Sequence, residues 1–418
     1  MNLYETEQRP ERVVLAGVHT GTKDELSDCT DESMRELELL AETAGAEVEA
    51  QFVQNRPAIE NATYVGEGKA EEIRDFCRQR EIDIVICDDE LTGSQVRNLE
   101  ELLGTRVMDR SALIMDIFAT RARTREGKLQ VELAQLQYYL TRLTGSFVNL
   151  SRLGGGIGTR GPGETKLETD RRHIRNRISV IKKQLDEVEK NREVQRKHRI
   201  KEGMQQIALV GYTNAGKSTL LNYLTDAGVL AEDKLFATLD PTARKLTLPD
   251  GSPVILIDTV GFIRKLPHHL IKAFRSTLEE AVNADVLIHV ADAASENLEQ
   301  NMRVVDGLLF ELGASAKPII TAYNKIDAAP DAVLQKPMSV GISAKTGFNI
   351  GKLLEMLADA LPEKRHRVKV LIPYSDGSVV SQIYKNASIN SEEHTADGTL
   401  LDITVDAKTF SQVSDYIV

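Results

Sequence analysis

The tightest constraint in this chain is the octapeptide Gly211-Tyr212-Thr213-Asn214-Ala215-Gly216-Lys217-Ser218. It follows an apolar strand run, Ile207–Val210, and leads into Thr219-Leu220-Leu221-Asn222, which reads as the opening of a helix. A glycine loop between strand and helix wraps a phosphate with its backbone N–H groups. Within it Lys217 reaches the β- and γ-phosphates, and the Ser218 hydroxyl is a ligand for Mg²⁺. Such a loop belongs to an α/β fold. Strand runs at Ile207–Val210, Val254–Ile257, Val286–Ala291 and Ile319–Ala322 alternate with helical stretches, the pattern of a doubly wound parallel sheet over 203–362.

Three further motifs follow the first in order. Asp258-Thr259-Val260-Gly261 ends the second strand run; Asp258 is placed to hold Mg²⁺ through water, and the Gly261 N–H to sense the γ-phosphate. Asn324-Lys325-Ile326-Asp327 ends the fourth. The Asp327 carboxylate can accept from N1–H and N2–H₂ of guanine, a donor pair adenine lacks, while Asn324 supports the base and Lys325 stacks over it. Ser343-Ala344-Lys345 offers backbone donors to guanine O6. Together they select GTP over ATP as substrate. Phe262 stands directly after Gly261, where a glutamine would position the attacking water, so intrinsic hydrolysis is expected to be slow, with a partner supplying the missing ordering.

The rest of the chain divides by pattern. Residues 1–118 alternate strand-like runs (Arg12–His19, Asp83–Cys87) with helical ones (Ser33–Thr43, Lys69–Arg80), giving an N-terminal α/β domain. Tyr64–Lys69 is a glycine-containing turn opening the second helix, with anion binding as the sharper alternative. In 119–202, Leu129, Leu133, Leu136, Leu140 and Leu143 repeat at 4-3-4-3, as do Ile174, Ile178, Ile181, Leu185 and Val188. That is the seam of an antiparallel coiled-coil hairpin, with the glycine-rich stretch 153–163 as its tip and a second arm from Thr165 to Lys201. Residues 363–418 form a small α/β tail with strands at Val368–Ile372 and Leu400–Val405.

Charge sharpens the hairpin. The whole chain carries −11, but 119–201 holds 20 Lys/Arg against 9 Asp/Glu, a local +11. A basic arm with a compact tip suits phosphate contacts in structured RNA, with DNA not implied; the alternative is a merely solvated charged face. Arg152, Arg160, Lys166, Arg171, Arg172, Arg175 and Arg177 gather around that tip. The scattered cysteines Cys29, Cys77 and Cys87 read as reduced thiols, and neither a secretory signal nor a membrane span is visible, so a cytoplasmic monomer is expected. His268 and His269 lack metal-ligand neighbours and read as exposed polar residues.

The motif order, with Phe236-Ala237-Thr238-Leu239-Asp240-Pro241-Thr242 between the first two motifs, resembles the Obg–HflX group of translation-factor-related GTPases. Leu153–Arg172 and Lys128–Leu136 narrow the resemblance to the HflX family, over nearly the whole chain. It implies that residues 236–240 form the first switch against the nucleotide and that Thr238, rather than Thr242, completes the Mg²⁺ site with Ser218. It implies a large-subunit ribosome and ribosomal RNA partner, and the splitting or rescue of stalled ribosomes under stress. Lys217, Thr238, Gly261 and Asn214 are then the expected catalytic group. Asn214 resembles the asparagine that holds K⁺ in potassium-activated GTPases; the other reading is a plain polar loop residue. Alternative functions are ribosome assembly or tRNA processing, and regulation through a protein partner.

Overall fold

The computed structural model describes residues 9–21, 30–145, 162–201, 204–225, 235–236, 239–267, 270, 275–330, 336–362 and 365–418. Chain contacts divide into two compact units. The first comprises Met1–Lys190 with Glu232–Asp240 and Ile263–Ser276; the second comprises Asn191–Ala231, Pro241–Phe262 and Thr277–Val418.

The first unit holds an all-parallel sheet ordered β2-β1-β3-β4. Its strands are β1 (Arg12–His19), β2 (Glu47–Asn55), β3 (Ile84–Cys87) and β4 (Arg106–Asp109), and its helices are α1 (Asp31–Thr43), α2 (Glu67–Arg80), α3 (Gly93–Leu103) and α4 (Arg110–Arg121). β3 is apolar and buried throughout, and β1 is apolar and buried between its polar ends Arg12 and His19, because helices cover both faces of a parallel sheet. β2, at the edge, alternates exposed and partly buried positions instead. Helix α3 begins on a capping box: Thr92 accepts from Gln95 N while the Gln95 side chain accepts from Thr92 N. Cys77 and Cys87 are buried thiols; Cys29 lies outside the described residues.

Helix α4 runs through residue 118, where the sequence pattern placed a boundary, and stops at Arg121. Helices α5 (Arg125–Gly145) and α6 (Pro162–Lys201) follow. They pack antiparallel: Arg177 grips Glu132 through two hydrogen bonds of 2.7 and 2.9 Å, and Arg171 donates to the Leu143 carbonyl. Leu129, Leu133 and Ile181 form the buried seam, with Leu136, Ile178 and Leu185 packed against it. The expected loop 153–163 is shorter at its far end, since α6 takes in Pro162 and Gly163. Proline suits a first helical turn, where its missing N–H has no partner to lose. The remainder of that loop lies outside the described residues.

The second unit carries a six-stranded sheet ordered β10-β9-β8-β5-β7-β6. Its strands are β5 (Gln205–Val210), β6 (Thr242–Thr247), β7 (Pro253–Asp258), β8 (Val286–Asp292), β9 (Ile319–Asn324) and β10 (Ser339–Gly341). Around it are α7 (Lys217–Thr225), α8 (Arg275–Asn283), which opens at the tail of the first unit's last segment, α9 (Leu298–Glu311) and α10 (Ile350–Ala360). The expectation of a parallel sheet holds for five strands; the edge strand β6 is antiparallel to β7. The two are joined by a turn of only five residues, too short for a parallel crossover. A tail sheet, β11 (Arg365–Ile372), β13 (Thr399–Asp406) and β12 (Ser388–His394), is antiparallel and packs helices α11 (Gly377–Asn386) and α12 (Ala407–Val413). Among the described residues no helix is long and apolar enough to cross a membrane.

Candidate active site

The predicted nucleotide loops lie at the carboxyl ends of β5, β7, β9 and β10. Residues 211–216 bridge β5 to α7, and two interactions shape them. Asn214 sits at φ +60°, a left-handed conformation that asparagine tolerates better than most residues. Gly216 has φ +94°, and a Cβ there would run into the Asn324 side chain. That asparagine is buried and ties two loops together: its Nδ2 donates to the Ala215 carbonyl at 2.8 Å, and its Oδ1 accepts from Ala344 N at 2.9 Å. Asn324 is therefore a brace between the loop at 211–216 and that at 343–345. Ser343 is buried and accepts from Thr346 N, which shapes the latter turn.

Lys217 is buried, and its ammonium donates to the Gly211 and Tyr212 carbonyls at 3.1 and 2.9 Å. Desolvation lowers its pKa to about 8 against a smaller opposing pull from Asp258. Such a cation gains by meeting an anion. Ser218 Oγ donates to Asp258 Oδ2 at 2.7 Å. Thr259 Oγ1 donates to the Leu209 carbonyl at 2.6 Å and pins the DTVG strand end against β5, while Val260 packs inward. Gly261 is set against the first loop so closely that a Cβ would lie 2.9 Å from Thr213 Cα and Cγ2 and 3.1 Å from Lys217 Nζ.

Phe262 is buried at 1% exposure. Its N–H donates to the Gly211 carbonyl at 3.1 Å, and its own carbonyl accepts from Thr213 N at 2.8 Å. The residue that replaces the usual glutamine is thus held inward as part of a two-rung ladder with the phosphate loop. At the base end, Lys325 (φ +62°) donates to Asp292 Oδ2 at 2.7 Å, Ile326 packs on a small apolar cluster, and Asp327 and Lys345 are exposed.

The 236–240 segment, expected against the nucleotide, is described only at Phe236, Leu239 and Asp240. Ala237 and Thr238 lie outside the described residues, as do His268 and His269. Leu239 is buried, and Phe236 packs edge-on against Phe118 of α4, ring centroids 4.7 Å apart. Asp240 accepts from the backbone N–H of Arg123 and Thr124, both at 2.9 Å, and from the Thr124 hydroxyl. Its carboxylate sits at the start of α5 rather than serving as a free ligand.

A second charged constellation escaped the sequence reading. Asp88 is fully buried after β3, and it accepts from Ser33 Oγ, from Arg110 at 2.8 Å and from Lys265 at 2.5 Å. Arg110, itself buried, also pairs with Glu36. Lys265 reaches Asp89 at 2.7 Å, Tyr64 donates to the same Asp89, and Arg264 donates to Glu32 at 2.8 Å. Burial pushes the Asp88 pKa up against the pull of Lys265. The available signal was an acidic pair directly after a buried parallel strand, where α/β sheets place functional groups.

Glycine loop, DTVG, NKID and SAK on one edge of an α/β sheet define a P-loop GTPase, a GTP hydrolase. Family models agree: residues 206–325 match one described as 50S ribosome-binding GTPase, 31–119 one described as GTP-binding GTPase N-terminal, and 121–199 one described as GTP-binding GTPase Middle Region. The chain is 49% identical to the GTPase HflX of Lacrimispora saccharolytica, covering 99% of this chain and 98% of that one. It is 45% identical to the GTPase HflX of Escherichia coli (strain K12), covering 88% of each. A GTP-binding protein from Sulfolobus solfataricus, solved with GDP, matches at TM-score 0.43 and 24% identity over 84% of this chain and 98% of that one. The chain belongs to the GTPase HflX family.

Proposed function

We propose that this GTPase is a timing switch on the large ribosomal subunit: its GTP form binds, splits or rescues stalled ribosomes under stress, and hydrolysis releases it. In this reading it acts as a cytoplasmic monomer. The observation that carries it is Asp240. Two residues beyond Thr238, this carboxylate caps α5, the first arm of the basic hairpin. Ordering of 236–240 around the γ-phosphate then bears directly on the start of the arm that meets ribosomal RNA.

At the nucleotide, Lys217 and the 211–216 amides bind the phosphates, Gly261 N–H meets the γ-phosphate, and Asp327 with the 343–345 backbone selects guanine. The paired oxygens of Ser218 and Asp258 are hard donors that fit Mg²⁺, with Thr238 joining them. When bound, Mg²⁺ neutralises charge on the β- and γ-oxygens. Asn214, with its constrained backbone, is the residue to hold K⁺, and rates in KCl and NaCl test that directly.

The deciding experiment is ribosome-profile sedimentation with a non-hydrolysable GTP analogue or GDP, comparing the full chain with one lacking 154–163. Co-sedimentation with the analogue alone, lost on deletion and steeply weakened between 50 and 200 mM salt, is expected. Equal association with GDP sinks the switch; association that ignores salt points to a protein partner.

A further inference from the structure

We propose that the Thr213 hydroxyl orders the attacking water in place of the missing glutamine, making Thr213 a positioning residue for hydrolysis. Three observations converge on it. Phe262 is held inward by hydrogen bonds to Gly211 and Thr213, so nothing on its side chain reaches the reaction. A Cβ placed on Gly261 would meet Thr213 Cα and Cγ2 at 2.9 Å and Lys217 Nζ at 3.1 Å, so Thr213 and Lys217 both flank Gly261. Lys217 and Gly261 are the groups assigned to the γ-phosphate, so Thr213 borders that same subsite. Finally, Thr213 is 6% exposed and its Oγ1 is buried with no hydrogen-bond partner among the described residues.

A buried hydroxyl without a partner is unfavourable, and natural cores rarely retain one without use. The Thr213 main chain gives no reason for it, since its N–H is already committed to Phe262. The methyl lies on the Gly261 side, and the hydroxyl is a polar group of the loop still to be satisfied. A hydroxyl can accept from a water while donating to a γ-phosphate oxygen, which sets the water in line. The water oxygen forms the new bond to γ-phosphorus. The β,γ-bridging P–O bond breaks and its electron pair leaves with GDP. The water proton ends on the released phosphate, and Thr213 gains and loses none.

The inference rests on the assignment of Lys217 and Gly261 to the γ-phosphate, and the two can fail separately. Thr213→Val removes the hydroxyl and keeps the shape; Thr213→Ser keeps the hydroxyl and loses the methyl. Single-turnover hydrolysis, titration with fluorescent GDP and GTP analogues, and binding of GDP with aluminium fluoride are measured on the full chain. Thr213→Val is expected to lower the hydrolysis rate roughly 10- to 100-fold and to weaken the aluminium fluoride complex in parallel. Ground-state nucleotide affinities should stay within about twofold, and Thr213→Ser should recover most of the rate. Wild-type hydrolysis by Thr213→Val overturns the proposal. So does an equal loss of rate and of GDP affinity, which would make the hydroxyl a ground-state contact. If Lys217→Ala keeps normal GTP-analogue affinity while Thr213→Val still slows hydrolysis, the underlying subsite assignment has failed instead.

Discussion

The two parallel sheets of this molecule share a design and carry opposite charge. In each, the chain order reverses beside the first strand: between β5 and β8 in one, between β1 and β3 in the other. Ligands of open α/β sheets bind outside the carboxyl ends at such a point. At the first, the loop after β5 presents amide N–H groups and the buried cation Lys217, a cradle for an anion. At the second, the turn after β3 presents Asp88 and Asp89, and the chain's own Lys265 fills it. One crevice presents donors for an anion; the other is filled by a residue three positions beyond Phe262. The same topology can therefore serve as a binding site or as an internal clamp, and the side chains at the strand ends decide which.

The clamp is the first half to break. Arg110→Ala leaves Glu36 and Asp88 buried without their guanidinium, and removing one partner of a buried pair costs ~3–5 kcal/mol. Denaturant unfolding followed by fragment-resolved hydrogen exchange should show that loss over residues 30–121. A change under ~1 kcal/mol would mean the cluster is peripheral to the fold. In the other crevice, Lys217→Ala should weaken GDP and GTP alike by on the order of 100-fold, because both carry the β-phosphate the ammonium meets. Fluorescent-nucleotide titration measures it, and unaltered GDP binding would contradict the assignment.

Acid separates the two sheets by sign. His289 of β8 is buried, and desolvation, with Lys336 and Lys217 acting the same way against the pull of Asp306, lowers its pKa to about 4. The unfolded chain takes up that proton near the ordinary value, so between pH 6.5 and 4 the unfolded state binds more protons and stability falls with pH. From pH 7 to 5 this amounts to about 2 kcal/mol. Asp88 goes the other way: its raised pKa makes the folded state the better proton binder, so acidification relieves a cost in the first sheet. His289→Leu should flatten the acid limb of the stability curve. An unchanged limb would show that the acid sensitivity lies elsewhere.

How much of this could be read from sequence follows the same division. The nucleotide loops were legible because their chemistry is written in fixed local spacings: 211–218, 258–261, 324–327 and 343–345 all sit at the strand ends expected of them. The hairpin seam was legible through its 4-3-4-3 repeat. The clamp was not, because Ser33, Asp88, Arg110 and Lys265 are brought together from positions up to 232 residues apart with no common spacing. Short or edge strands also escaped: β4 has four residues, and β2 is half-polar as an edge strand must be. Helix α3 carried a usable signal in its Thr92–Gln95 box. The role expected of Asp240 at the nucleotide came from its neighbours in sequence, whereas its hydrogen bonds are made to residues 116 and 117 positions earlier.

The smallest expected effect concerns that residue. Asp240→Ala removes the acceptor for Arg123 and Thr124 N–H, a capping interaction of ~1 kcal/mol. The loss is bounded, because Thr124 Oγ1 still accepts from Gly127 N at 3.0 Å and keeps the first turn of α5 capped from within. Hydrogen exchange at 123–128 should quicken about fivefold, with Asp240→Asn falling between the variant and the parent because it keeps an acceptor. Unchanged exchange in the alanine variant would show that α5 starts without help from this segment. The scale of the effect bears on the switch. If 236–240 orders around the nucleotide as proposed, a link of ~1 kcal/mol is one that ordering can outcompete, whereas a buried ion cluster worth several times more is not.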